Sequence, residues 1–104
     1  MKLPLDVTNN FFLSLDMRLV TNGSLTVIVE GKGIKPSELF YIHYVGSKTL
    51  LRVDKNHIYY GIGNRKQWSR FYRDLNTDLQ KGLMLKGYSM CQVKMAECWL
   101  ASPT

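Results

Sequence analysis

What this chain has little of already closes off several classes of function. No apolar run approaches the roughly 18 residues that a membrane-spanning helix needs. The N-terminus, Met1 to Asp6, has one lysine but no long apolar segment and no small-residue cleavage site, so no secretory leader is read there and a cytoplasmic location is expected. Cysteine is scarce: Cys91 and Cys98 are the only two. They fall seven residues apart on one expected strand, hence on opposite faces and about 23 Å apart, at roughly 3.3 Å per residue. A disulfide needs Cα atoms within about 7 Å. No internal bridge is expected, and two reduced thiols fit a cytosolic protein.

Histidine is as scarce. His43 and His57, with the two cysteines, are the only soft ligands, and their spacings match no zinc pattern. No metal or cofactor is expected. Paired carboxylates, a Gly-x-Ser-x-Gly elbow, a phosphate-binding loop and a kinase signature are all absent. The eight acidic residues are scattered, so the sequence points away from an enzyme. No internal repeat or low-complexity stretch breaks the 104 residues, which read as a single domain with room for one core.

What is present is a series of short strands. Leu13, Leu15, Met17 and Leu19 alternate with Ser14, Asp16 and Arg18, the pattern of a half-buried strand. Asn22-Gly23 follows as a hairpin signal. The return strand, Leu25 to Glu30, has apolar side chains on both faces and belongs inside a sheet. Gly31 to Ser37 is loop. In Leu39 to Val45, Tyr41, His43 and Val45 share one face, and Phe40, Ile42 and Tyr44 the other. Gly46-Ser47 and Asp54-Lys55-Asn56 then read as turns flanking strands at Thr49 to Val53 and His57 to Ile62. Ser89 to Leu100 reads as a final strand.

Asn64 to Lys86 reads as one amphipathic helix, capped by Asn64 and ended by Gly87, with Gly82 as a competing stop. Trp68, Phe71, Tyr72, Leu75, Leu79 and Leu83 form its apolar stripe and are assigned to the core. Lys66, Arg70, Arg73, Thr77 and Lys81 fall opposite, as a basic ridge. The expected fold is therefore α+β and two-layered: a five-stranded antiparallel meander, one helix over about 64–86, and a C-terminal strand.

Charge is uneven. Residues 1–45 hold four Lys or Arg against four Asp or Glu, and residues 46–104 hold ten against four, so the whole net charge of +6 lies in the second part. A solvated surface would account for this; so would an acidic partner. Gly61 to Lys66, two glycines before an expected helix start with Arg65 and Lys66, suits one phosphate or carboxylate, or is an ordinary turn. Aromatic residues make up 12% of the chain, enough for tyrosines on the sheet to stack with bases or anchor an interface. The reading drawn from these features is a non-enzymatic binding protein for nucleic acid, single-stranded or RNA. Its contacts would be Arg65, Lys66, Arg70, Arg73, Lys81, Arg52 and Tyr59. The alternative is a protein–protein module, an inhibitor, immunity or adaptor protein, that meets an acidic protein surface. No membrane contact is expected, and a homodimer through an edge strand is a further expectation.

Overall fold

The computed structural model describes residues 2–3, 12–19, 23–32, 39–47, 51–63, 65–85 and 92–101. Along the chain these form β1 (Lys2–Leu3), β2 (Phe12–Leu19), β3 (Ser24–Lys32), β4 (Leu39–Val45), β5 (Leu51–Asp54), β6 (His57–Gly61), β7 (Arg65–Asp74), α1 (Leu75–Leu85) and β8 (Gln92–Ala101). Two sheets result: one of six strands, in the order β1-β8-β3-β4-β6-β5, and a ribbon of β2 and β7. Among the described residues the fold is small and β-rich, with one helix.

The six-stranded sheet buries one face. Leu25, Val27 and Val29 of β3 point inward, beside Phe40, Ile42 and Tyr44 of β4 and Ile58 and Tyr60 of β6. The alternation in β4 was legible in the residues, and β3, read as apolar on both faces, does lie inside the sheet, between β8 and β4. The second layer has two parts. The ribbon contributes Leu13, Met17, Leu19 and Phe71, and the helix contributes Leu75, Leu79 and Leu83. Each such side chain, fully buried, is worth about 1.5–3 kcal/mol. A two-stranded ribbon cannot cover six strands, and the helix closes part of the remainder.

The expected meander is not formed. β2 does not return beside β3 through Asn22-Gly23; it pairs antiparallel with β7 in the other sheet. Asn22 itself lies outside the described residues, and Gly23 accepts a hydrogen bond on its carbonyl from Gly46 N at 2.9 Å. The chain does not fold back at Gly46-Ser47 either. β5 skips one place and lies at the sheet edge, and β6 fills the gap, parallel to β4 and antiparallel to β5. The turn at Lys55-Asn56 is as expected, with Lys55 at a left-handed φ of 53°.

The expected helix is overturned in its first half. Arg65–Asp74 is strand, and the helix begins only at Leu75. Its cap is Asp74, whose Oδ1 accepts the backbone N–H of Thr77 at 3.1 Å. Gly82 does not stop it; the helix runs on to Leu85. Asn64, Lys86, Gly87, Cys91 and residues 33–38 lie outside the described residues, and Gly31 and Lys32, expected in a loop, belong to β3. Because β7 rather than a helix starts at Arg65, the Gly61–Lys66 stretch has no helix dipole behind it, and the anion-site alternative loses its main attraction.

Candidate functional site

With Phe40, Ile42, Tyr44, Ile58 and Tyr60 turned inward, the alternate residues of β4 and β6 must stand on the outer face of the large sheet. Strand register lines them up in two rows. Thr26, His43, Tyr59 and Arg52 are successive cross-strand partners on β3, β4, β6 and β5; Ile28, Tyr41, His57 and Asp54 form the next row. Neighbouring strands lie about 4.8 Å apart, which is also a comfortable stacking distance for flat rings. Tyr41 and His57 stack with centroids 4.7 Å apart, and His43 and Tyr59 at 4.6 Å. Across the diagonal the two histidine rings are 5.1 Å apart and within 14° of parallel. Arg52 lies over the far face of Tyr59, its Cζ 4.6 Å from the ring centroid.

Hydrogen bonds lock this platform. His43 Nδ1 is 2.8 Å from Thr26 Oγ1, and His43 Nε2 is 2.8 Å from His57 Nδ1. The bond between the imidazoles requires one ring to donate and the other to accept, so a single proton sits between them. Burial, and secondarily the neighbouring His57, holds the His43 imidazole below its ordinary pKa. At one end the platform runs into a depression of about 290 Å³ lined by Val45, Ser47, Arg52, Tyr59 and Gly61. Gly61, opposite Val45, has no side chain to fill it.

Of the residues expected to form one basic site, Arg52 and Tyr59 do come together here. The others are dispersed. On a strand rather than a helix, Lys66 and Arg70 share the outer face of β7 with Trp68 and Tyr72, which are 71% and 59% exposed instead of buried. Arg70 forms an ion pair with Asp16 at 3.3 Å. Arg65 belongs to the other alternation; its guanidinium donates to Ser69 Oγ at 2.8 Å and lies 5.3 Å from the Phe71 ring. Lys81 is exposed on the helix. The ridge is not a surface of this protein, because a period of two places side chains differently from a period of 3.6.

Arg73 goes furthest from expectation. Its Nε and a terminal nitrogen donate to the two oxygens of Asp78 at 2.8 and 2.7 Å. Asp78 is only 3% exposed and also accepts from the Tyr44 hydroxyl, while the Tyr60 hydroxyl donates to its backbone carbonyl at 2.6 Å. The hydrogen bond to Asp78 pushes the Arg73 pKa up; burial, with the Asp78 charge, pushes up those of Tyr44 and Tyr60. Arg73, only partly exposed, thus has its charge engaged by the buried Asp78. Among the described residues no three of His, Cys, Asp or Glu gather to hold a metal ion.

Residues 1–99 match the family model of the D-glucuronyl C5-epimerase β-sandwich domain. The chain belongs to this family. The match spans nearly all 104 residues, and two facing sheets agree with the family's architecture. It overturns the expectation of a non-enzymatic nucleic-acid binder, and with it the adaptor or inhibitor alternative, because the family belongs to an enzyme. Absence of a catalytic motif misled: a domain of an enzyme need not carry one. Thr26, Tyr41, His43 and His57 were missed as site residues. Alternation did place Tyr41 and His43 on one face, but only the parallel pairing of β4 with β6 brings His57 and Tyr59 beside them.

Proposed function

We propose that this domain holds an acidic polysaccharide for a uronyl epimerase, with the outer sheet platform as its sugar-binding surface. The observation that carries the reading is the stacked row ending in Arg52 over Tyr59. The stacked rings turn their edges and the Tyr41 and Tyr59 hydroxyls outward, groups that suit sugar hydroxyls, and a guanidinium at the end of the row suits a carboxylate, the group that distinguishes a glucuronyl residue from a neutral sugar. The depression beside Arg52 and Tyr59 offers room for part of a ring. The net charge of +6 favours approach of a polyanion.

Epimerisation at C5 requires a proton to leave one side of the ring and another to arrive on the opposite side. A flat platform touches one side only. In this reading the domain positions the chain, Arg52 offsets the carboxylate charge next to C5, and the acid–base groups act from outside this face.

The test is a titration of the protein with a glucuronate-containing oligosaccharide, followed by NMR shifts of the His43, His57 and Tyr59 signals. Arg52→Gln and Tyr59→Ala should each weaken binding about tenfold, or ~1.4 kcal/mol, and the Arg52 effect should shrink in high salt. Equal affinity for an uncharged oligosaccharide, or unchanged affinity in both variants, would rule the reading out.

A further inference from the structure

The outer face of the β2–β7 ribbon lies on the opposite layer from the platform. Leu13, Met17, Leu19 and Phe71 point inward, so Lys66, Trp68, Arg70 and Tyr72 of β7 point away from the core. Two of these four have an internal role. The Tyr72 ring stacks on Phe12, with centroids 5.4 Å apart, and Arg70 is tied to Asp16 at 3.3 Å and to Ser14 Oγ at 3.3 Å. Trp68 and Lys66 are left. Trp68 has the largest exposure of any large apolar residue among the described residues, at 71%. Lys66 has no hydrogen-bond or ion-pair partner among the described residues. Beside them runs a groove of about 470 Å³ lined by Arg65, Lys66, Gln67, Trp68 and Ser69, within the roughly 300–1,000 Å³ typical of ligand sites.

We infer that Trp68 and Lys66 form a second binding site for an acidic sugar residue, separate from the platform. An indole standing free on a flat strand offers the broadest apolar face for the C–H side of a pyranose. The unpaired ammonium two residues away on the same strand face supplies the counter-charge for a carboxylate, and pairing with Arg70 offsets the negative charge of Asp16 on the facing strand. Charge complementarity selects an anionic sugar over a neutral one. The inference rests on the reading of the domain as a holder of acidic polysaccharide, and it adds that the chain is contacted on two opposite faces.

A glucuronate-containing disaccharide tests it, since one so short contacts one face at a time. In ¹H–¹⁵N spectra of the full chain, the indole N–H of Trp68, assigned with Trp68→Phe, should shift on titration. Arg52→Gln should leave that shift in place and weaken only the platform signals. Trp68→Ala should abolish binding at the ribbon, and an exposed site makes its fold safe, which an unchanged melting temperature verifies. Lys66→Gln should weaken the ribbon about threefold and erase its preference for the glucuronate disaccharide over a neutral one. No shift at Trp68 while the platform responds overturns the second site alone. Loss of the Trp68 shift in Arg52→Gln also overturns it, since there is then a single site. A Trp68 signal that answers to protein concentration instead of sugar marks a self-contact and overturns it as well. Silence at both faces overturns this inference together with the proposed function.

Discussion

His43 illustrates how much chemistry one residue gains from its neighbours. On its own strand it is a polar residue on the wet side. In the folded sheet it is stacked against Tyr59, bonded to Thr26 and His57, and held below its ordinary pKa by burial and then by His57. Arg52, Asp54 and Glu30 are in register on the same face, and in the neighbouring strands Glu97 pairs with Ile28 and Lys2 with Trp99, the partner of Thr26. A histidine depressed in the folded state binds fewer protons than it does in the unfolded chain, so stability rises with pH across the interval between the two values. Expected is a fall in melting temperature as pH drops through about 6.5, the ordinary value of histidine. The fall should be shallower in His43→Gln, which keeps polar contacts but does not titrate. Melting curves at about pH 7.5 and pH 5.5 compare the two slopes; identical slopes remove the histidine from the account.

The junction of β7 and α1 shows an element decided by its surroundings. Residues 65–74 contain aromatics at spacings that suit a helix, yet Trp68, Phe71 and Tyr72 are also strand formers, and helix propensity is a weak preference that tertiary packing overrides. β2 presents an apolar row on one face, and pairing along it lets Phe71 enter the core while Trp68 stays outside. Among the described residues the pairing with β2 ends at Asp74, and from Leu75 onward the Leu75, Leu79, Leu83 spacing prevails. Within the helix, Gly82 allows a close approach to β6: a Cβ there would lie 2.5 Å from Ile58 Cδ1 and under 3 Å from two more of its carbons. Propensity alone predicts that Gly82→Ala stabilises by ~1 kcal/mol. The opposite is expected, a loss of about 1–3 kcal/mol from overpacking. In an Ile58→Ala background, itself destabilised, the added methyl should become neutral or favourable. Chemical denaturation of the four members of this cycle measures the coupling.

At the scale of the molecule, the two layers are joined by a polar tie as well as by the core. Asp78 on the helix holds Arg73 of β7 and receives Tyr44 of β4, and its carbonyl receives Tyr60 of β6. Both guanidinium bonds are short and the carboxylate is buried, so removing its charge leaves Arg73 without compensation. Asp78→Asn should cost about 3 kcal/mol, at the low end for broken buried pairs because Arg73 is partly exposed. The cost should appear as a lower urea midpoint with an unchanged slope; an unchanged midpoint would show that water replaces the pair without loss.

The groups proposed to meet a sugar stand on the outer faces of the two layers, which belong to different sheets. What the residues determined by themselves is local. The alternation in β2 and β4, the Lys55-Asn56 turn and the apolar Leu75–Leu83 stripe follow from local spacing and turn chemistry, which need no knowledge of partners. Partner choice is a competition among distant segments, and only the folded chain resolved it: β2 took β7 instead of β3, β6 came between β4 and β5, and half of an expected helix became a strand. Arg52 and Tyr59, named from sequence as candidate contacts for nucleic acid or an acidic partner, do lie side by side. Their union with His43, His57 and Tyr41 could not be foreseen, because it depends on a parallel register that tertiary packing alone sets.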